Sequence, residues 1–376
     1  MKYQPTFILV FIISFWAVQS QAQYKFTVDK RIEATSVKNQ QNTGTCWSFS
    51  TASFIESELI RLGKGKHDLS EMFVVRKIYL EKALNYVRRQ GKAQFSQGSL
   101  AHDLINTIGK YGIVPEEVYN GKIAGETRHN HSELEAVLTS FVKTIVKRKR
   151  PSKKWLAAFE GILDGYLGKV PEKFTYQEKT YTPKSFAKYL GINPADYVEL
   201  TSYTHYPFYQ SFVLEIPDNF SNGMYYNLPI DALQEVADNA LKGGYSMVWD
   251  GDVSEKGFSQ RNDVAIIPQK DWALMASSER RKVLRQPSQE RTITQKMRQE
   301  TFENHSTTDD HLMHLIGTAK DQNGGNYYLI KNSWGTRVGK CGGYIHASKA
   351  YFRLKTVSLL VHKDAIPKAI RKKLKL

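Results

Sequence analysis

Cys46 stands in the run Val37–Lys38–Asn39–Gln40–Gln41–Asn42–Thr43–Gly44–Thr45–Cys46–Trp47–Ser48–Phe49–Ser50, where a polar loop gives way to a helical pattern. A thiol that opens a helix feels the macrodipole and free backbone N–H groups, both of which favour the thiolate nucleophile. A lone cysteine can equally be a small buried hydrophobe, so its neighbours decide. A thiolate needs a basic partner, and acyl transfer needs donors for the oxyanion that develops. Gln40 lies six residues before Cys46, so its amide can fold back over the thiol beside the Cys46 N–H, with Gln41 competing for that place. For the base, Asp309–Asp310–His311–Leu312–Met313–His314 offers two histidines three apart. On a strand they point to opposite faces, so one alone can meet the thiol. Asn332, in Lys331–Asn332–Ser333–Trp334–Gly335, follows on the partner strand. Its side-chain oxygen can accept the imidazole N–H and fix the ring, with Trp334 shielding that bond from water.

The elements that must hold these groups divide into two halves. Trp47, Ile55, Leu59 and Leu62 recur at helical spacing up to Gly63, a second helix follows Leu69–Ser70–Glu71 as far as Gly91, and a third runs from Leu100 to Tyr111 before Gly112 and Pro115. The first lobe, about 32–132, therefore reads as mainly helical. From about 133 to 200 lies a further helical stretch, read as an insertion, that carries the basic cluster Lys147–Arg148–Lys149–Arg150. Ile230 to Leu241 reads as one more helix, and Tyr245 to Trp249 as a strand. Between Ser277 and Thr308 the polar composition predicts a long loop or a solvated helix. Beyond it, His311 to Ala319 and Asn326 to Asn332 form a hairpin around Asn323–Gly324, with further strands at Gly343–Ile345 and Thr356–Val361. The β-rich lobe is thus about 201–376, antiparallel, and it ends in Ile366, Ile370 and Leu374 at the spacing of a short amphipathic helix.

The chain has 376 residues, 41% of them hydrophobic, which excludes a disordered or collagen-like protein. Two cysteines cannot build a disulfide scaffold, and neither CxxC nor HExxH occurs, so the common zinc templates are missing. His102, His129, His131, His205 and His305 have no ligand spacing and read as ordinary polar residues; Cys341 reads as a free structural thiol. Residues Phe7 to Val18 form an apolar run too short to span a bilayer, after Lys2 and before a small-x-small end at Ser20 and Ala22. That three-part pattern predicts a signal peptide over 1–22, hence export to the periplasm or the extracellular space, with no stable membrane anchor. The net charge of +16 predicts salt-sensitive attraction to polyanions but no specific nucleic-acid partner. The stretches Lys147 to Lys154 and Lys368 to Lys375 read as solvated faces.

The box from Gln40 to Cys46–Trp47–Ser48–Phe49–Ser50 and the Lys331–Gly335 box together resemble the papain-like cysteine peptidases. Their usual spacing from nucleophile to histidine is about 130–150 residues. Here the spacing is 265. That excess, and stretches such as Gly98 to Pro115, Tyr226 to Val253 and Glu300 to Met313, resemble the bleomycin hydrolase or aminopeptidase C branch.

The resemblance implies an α+β, two-lobed papain-like fold with the cleft between a helical and an antiparallel β lobe. It implies Cys46 as nucleophile, His311 as general base and acid, Asn332 as its orienter and Gln40 as oxyanion donor. The branch's His-x-Met pattern selects His311 over His314. Gly98–Ser99 occupies the place of a Gly-Gly pair that receives substrate backbone, so pairing there rests on Gly98, with Trp334 the other expected cleft residue. Peptides are the implied substrates, no metal or organic cofactor is required, and a homo-oligomer is implied by the branch. Aminopeptidase activity follows from the same resemblance, although the tail from Ala365 to Leu376 does not match the branch's cleft-filling arm. The alternatives are an endopeptidase with an open cleft and, from another class, a non-catalytic polyanion- or envelope-binding protein on the same fold.

Overall fold

The computed structural model describes residues 23–123 and 125–376. The expected signal peptide, 1–22, lies outside the described residues. The helices are α1 (Cys46–Arg61), α2 (Glu71–Arg88), α3 (Ala101–Tyr111), α4 (Ser132–Val146), α5 (Lys154–Leu167), α6 (Pro183–Leu190), α7 (Ile230–Lys242), α8 (Ser277–Val283), α9 (Gln295–Glu303), α10 (Lys349–Lys355) and α11 (Lys368–Leu374). The strands are β1 (Thr27–Arg31), β2 (Phe174–Tyr176), β3 (Lys179–Tyr181), β4 (Tyr197–Thr201), β5 (Ser211–Val213), β6 (Met224–Asn227), β7 (Met247–Gly251), β8 (Phe258–Ser259), β9 (Val264–Ala265), β10 (His311–Lys320), β11 (Asn326–Lys331), β12 (Tyr344–Ser348) and β13 (Thr356–His362).

Helix α1 is the axis of the molecule. From Cys46 to Leu59 every residue is buried, including Ser48, Ser50, Thr51 and Glu56. Its hydroxyls can be buried because they bond backbone carbonyls, such as Thr51 Oγ1 to Trp47 O at 2.7 Å and Ser48 Oγ to Glu71 O at 3.0 Å. Helix α2 starts where Ser70 caps the Phe73 N–H, and it packs with α3 around Phe54, Phe73 and Leu104. Helices α4 and α5 join this same core through Leu134, Leu138, Phe159 and Leu163. The expected insertion therefore extends the helical lobe rather than standing apart, and the basic cluster 147–150 lies on the exposed connection between its two helices.

Most strands form one sheet in the order β5-β6-β4-β13-β7-β10-β11-β12-β9-β8, with β1 also paired to β10. Alternation sorts the two faces. Val248, Leu312 and Leu360 face the α1 core, whereas Met247, Trp249, Met313, Leu315, Leu359 and Val361 pack with α7 and α11 on the other face. Strand β1 can lie against β10 because Gly317 has no side chain; a Cβ there would stand 2.2 Å from the Lys30 carbonyl oxygen.

Three expectations need correction. The sheet is not wholly antiparallel, since β4–β6 and β9–β12 run parallel. Strand β4 and the amino-terminal β1 both belong to the sheet, so the β lobe begins before residue 201 and borrows a strand from the start of the chain. The stretch from Ser277 to Thr308 is not all solvated: Arg298 of α9 is 0% exposed, and its guanidinium donates to the Ser202 carbonyl at 2.7 Å and the Arg353 carbonyl at 3.0 Å. A cation satisfied by distant backbone oxygens gives no hydropathy signal. The same holds for His102, His129 and His131, which are buried, His102 between Glu199 and Ser221.

Candidate active site

Cys46 is the first residue of α1 and only 8% exposed. The Leu312 backbone hydrogen-bonds its thiol, which places the sulfur against the peptide unit that follows His311. His311 is the first residue of β10 and 4% exposed. Its Nε2 lies 2.7 Å from Asn332 Oδ1. That amide oxygen can only accept, so Nε2 carries the proton and Nδ1 keeps the lone pair, as a general base requires.

Asn332 is itself held at both ends. Its Oδ1 also accepts the Ser333 N–H at 2.7 Å, and its Nδ2 donates to Gln260 Oε1 at 2.7 Å. Gln260 in turn donates to the Tyr344 carbonyl at 3.2 Å and to Asp263 Oδ1 at 3.3 Å. The Trp334 ring lies beside that of His311, centroids 4.8 Å apart and tilted by 31°. Gln260 is a positioning residue that sequence reading missed, because nothing in Gly257–Phe258–Ser259–Gln260–Arg261 marks it out. Gln260→Ala is expected to lower kcat about 10- to 100-fold, part of the usual worth of positioned acid–base catalysis, with KM nearly unchanged. Gln260→Glu keeps the acceptor for Asn332 but sets a carboxylate oxygen against Asp263 and the Tyr344 carbonyl, so it is expected to fall between alanine and wild type; steady-state kinetics on both variants checks this.

Gln40 reaches the same place from the other lobe. Its N–H donates to the Ser333 carbonyl at 2.9 Å, and its Oε1 accepts from Ser333 Oγ at 2.6 Å. Its Nε2 donates to the Thr43 carbonyl at 2.8 Å, which keeps the amide nitrogen on the side of the turn leading to Cys46. Gln41 faces away, with φ +59° and its side-chain oxygen on the His129 N–H. His314 likewise lies apart, its Nδ1 2.8 Å from Ser53 Oγ, two turns along α1 from Cys46. Gly98 offers its carbonyl to Lys82 Nζ, and Asp218 covers its α-carbon. Ser99 turns inward to donate to Asp103 at 2.6 Å.

The helix terminus does not by itself make the thiol acidic. Burial pushes Cys46 up to about 12, assisted by Asp218, Asp309 and Asp250 and opposed by the Leu312 backbone bond. Burial likewise pulls His311 down to about 4, against the raising influence of Asn332 and Asp310. Desolvation outweighs the dipole at both groups, so neither charges alone. A proton passed from this thiol to the imidazole would leave the buried pair neutral overall.

Comparison with known proteins agrees with this architecture. Residues 24–159 match the papain family cysteine protease model, and residues 166–376 match that of the peptidase C1-like family. Aminopeptidase C of Listeria monocytogenes serovar 1/2a is 25% identical over 380 residues, covering 90% of this chain and 82% of that protein. Aminopeptidase C of Streptococcus thermophilus is 24% identical, covering 92% and 84%. Among solved structures, PepW from Lactobacillus rhamnosis HN001 superposes with a TM-score of 0.72 at 23% identity, covering 93% of this chain and 84% of that one. The chain belongs to the peptidase C1-like family and is a cysteine-type peptidase of papain-like fold.

Proposed function

We propose that this peptidase removes residues from the amino end of peptides, with Cys46 as nucleophile, His311 as base and acid, Asn332 as orienter and Gln40 as oxyanion donor. The observation that carries the reading is the continuous bonding from Gln260 through Asn332 to His311 Nε2, which puts the ring proton on Nε2 and leaves the Nδ1 lone pair to act as base. In the reaction the Cys46 proton passes to Nδ1 as sulfur attacks the carbonyl carbon. Negative charge collects on the carbonyl oxygen, between the Gln40 amide and the Cys46 N–H at the start of α1. His311 returns its proton to the departing amine, and a water, deprotonated by the same nitrogen, hydrolyses the thioester to acid and free thiol.

The aminopeptidase preference draws on the relatives named aminopeptidase C. One observation favours the endopeptidase alternative. Helix α11 packs on the sheet face opposite α1, through Ile370 and Leu374, so residues 368–374 do not enter the cleft. Removing an oxyanion donor typically costs about 10²–10³ in kcat. Gln40→Ala is therefore expected to lower kcat by that factor with little change in KM, and an unchanged kcat would remove Gln40 from the mechanism.

A further inference from the structure

On the leaving-group side of the site the surface opens into a basic groove. His311 returns its proton to the departing amine, so the half of the peptide that leaves lies on the His311 and Trp334 side of Cys46. Two segments run outward from that side. One continues from Gln260, which holds Asn332, into Arg261 and Asn262. The other is the loop from Trp334 to Cys341. Gly339, at φ +76°, lets the two close on each other: a Cβ there would stand 1.9 Å from Asp263 Oδ1 and 2.4 Å from the Gln260 carbonyl oxygen. Three adjoining depressions of about 90, 330 and 380 Å³ follow from these segments and share Gln23 and Arg285 in their walls.

The cations of the groove are Arg261, Arg281, Lys282, Arg285 and Lys340, all exposed. None of the five forms an ion pair among the described residues, and the acids next along the chain are engaged elsewhere: Asp271 pairs with Arg291 at 3.0 Å and Glu279 with Lys270 at 2.8 Å. Among the described residues Asp263 is the one carboxylate in the walls, and it is 2% exposed. Its Oδ2 accepts the Lys340 and Cys341 N–H groups at 2.6 and 2.9 Å, and its Oδ1 the Gln260 amide at 3.3 Å. That carboxylate is turned to the backbone rather than to the side-chain cations. Like charges around a concave surface sum to a positive potential that draws anions toward it.

Lys340 follows Trp334 by six residues, and six residues reach at most about 22 Å. An extended peptide that crosses Trp334 therefore meets the groove within about as many positions of its own. We propose that the groove receives acidic residues in the departing half of a peptide substrate, a few positions beyond the scissile bond, with Arg261, Arg285 and Lys340 as specificity-determining residues. Carboxylates along an extended chain match exposed guanidinium and ammonium groups without needing a closed pocket. Exposed pairs are screened by salt and speed encounter more than they prolong binding, so the effect falls on capture. The proposal deepens the peptidase reading: it rests on Cys46 and His311 as the reacting pair and is independent of the choice between aminopeptidase and endopeptidase.

The test uses internally quenched decapeptides that share their first half and end in either glutamates or lysines, each made with a free and an acetylated amino end. A dipeptidyl-coumarin amide, too short to reach the groove, reports the catalytic step. Within whichever amino-end form is cleaved, kcat/KM is expected to favour the glutamate tail by about 10-fold or more at low ionic strength, falling toward equality at high salt. Arg261→Glu/Arg285→Glu/Lys340→Glu is expected to abolish or invert that ratio, and the matching triple alanine variant to give an intermediate one. Lys147→Glu/Arg148→Glu/Lys149→Glu, on the connection between α4 and α5, is expected to keep it. Equal rates for the two tails in wild type, a preference that survives in the groove variants, or one lost as much in the 147–149 variant would overturn the proposal, while cleavage of the coumarin amide leaves the catalytic reading standing. If inorganic polyphosphate binds wild type but not the groove glutamate variant and the two tails are cut equally, the groove docks a phosphate polymer and the peptide proposal is overturned. If Cys46→Ala cleaves every substrate as fast as wild type, the catalytic reading falls and this proposal falls with it.

Discussion

Cys46→Ala is expected to reduce peptide hydrolysis by about 10⁴-fold or more, the scale seen when a covalent nucleophile is removed from a catalytic unit. The residue is the thiol hydrogen-bonded to the Leu312 backbone, and Cys341, the other cysteine, is exposed. Alanine keeps the helix start and removes one sulfur, so the fold should persist while no thioester can form. The check is turnover of a panel of free and amino-blocked fluorogenic peptides, with circular dichroism and labelling of Cys341 as controls. An unchanged rate would mean that another group attacks. Burial raises the Cys46 thiol and lowers the His311 imidazolium, so neither should ionise alone, and thiolate and imidazolium should form together as a pair.

Lys38→Met should have the largest effect on stability. Lys38 Nζ bonds Glu71 Oε1 at 2.6 Å and the Leu69 carbonyl at 3.3 Å, with Asp68 at 2.5 Å and Glu56 at 3.8 Å. Glu56 and Glu71 are both buried in the core, and burial already pushes Glu71 up to about 7 despite Lys38. Removing the cation leaves buried carboxylates uncompensated, at a cost of about 3–5 kcal/mol. The sign with pH follows from linkage. A carboxyl whose folded pKa is raised binds its proton more readily in the native state, so stability falls as pH rises through the interval between unfolded and folded values. The variant should therefore recover stability as pH drops from 7 toward 5. Urea denaturation at both pH values measures this, and a loss under about 1 kcal/mol at pH 7 would show that solvent reaches these acids. Lys38 also anchors the loop before Gln40, while Lys331, beside Asn332, bonds Ser53 at 2.7 Å on α1. Activity is expected to decline before the protein unfolds.

Much of the site was legible because its chemistry is local. Cys46 opens α1 after a polar loop, Gln40 lies within one turn of chain, and strand parity separates His311 from His314. The hairpin that brings Asn332 to His311 is set by Asn323–Gly324 and two apolar runs. The limits are equally local. Arg298 and His102 look solvated because their partners, Ser202 and Arg353 for one and Glu199 for the other, lie far away in the chain. Strand β1 carries no apolar alternation and is entirely exposed, so only its ladder with β10 reveals it.

By itself the sequence pointed to a candidate nucleophile, its family and a two-lobed order of helices then strands, because these depend on residue type, short spacing and periodicity. Only the tertiary structure decided which nitrogen of His311 bears the proton, that Gln260 holds Asn332, and that burial makes the Cys46 thiol less acidic. Desolvation and long-range pairing are properties of a surrounding, and a surrounding exists only once the chain has folded.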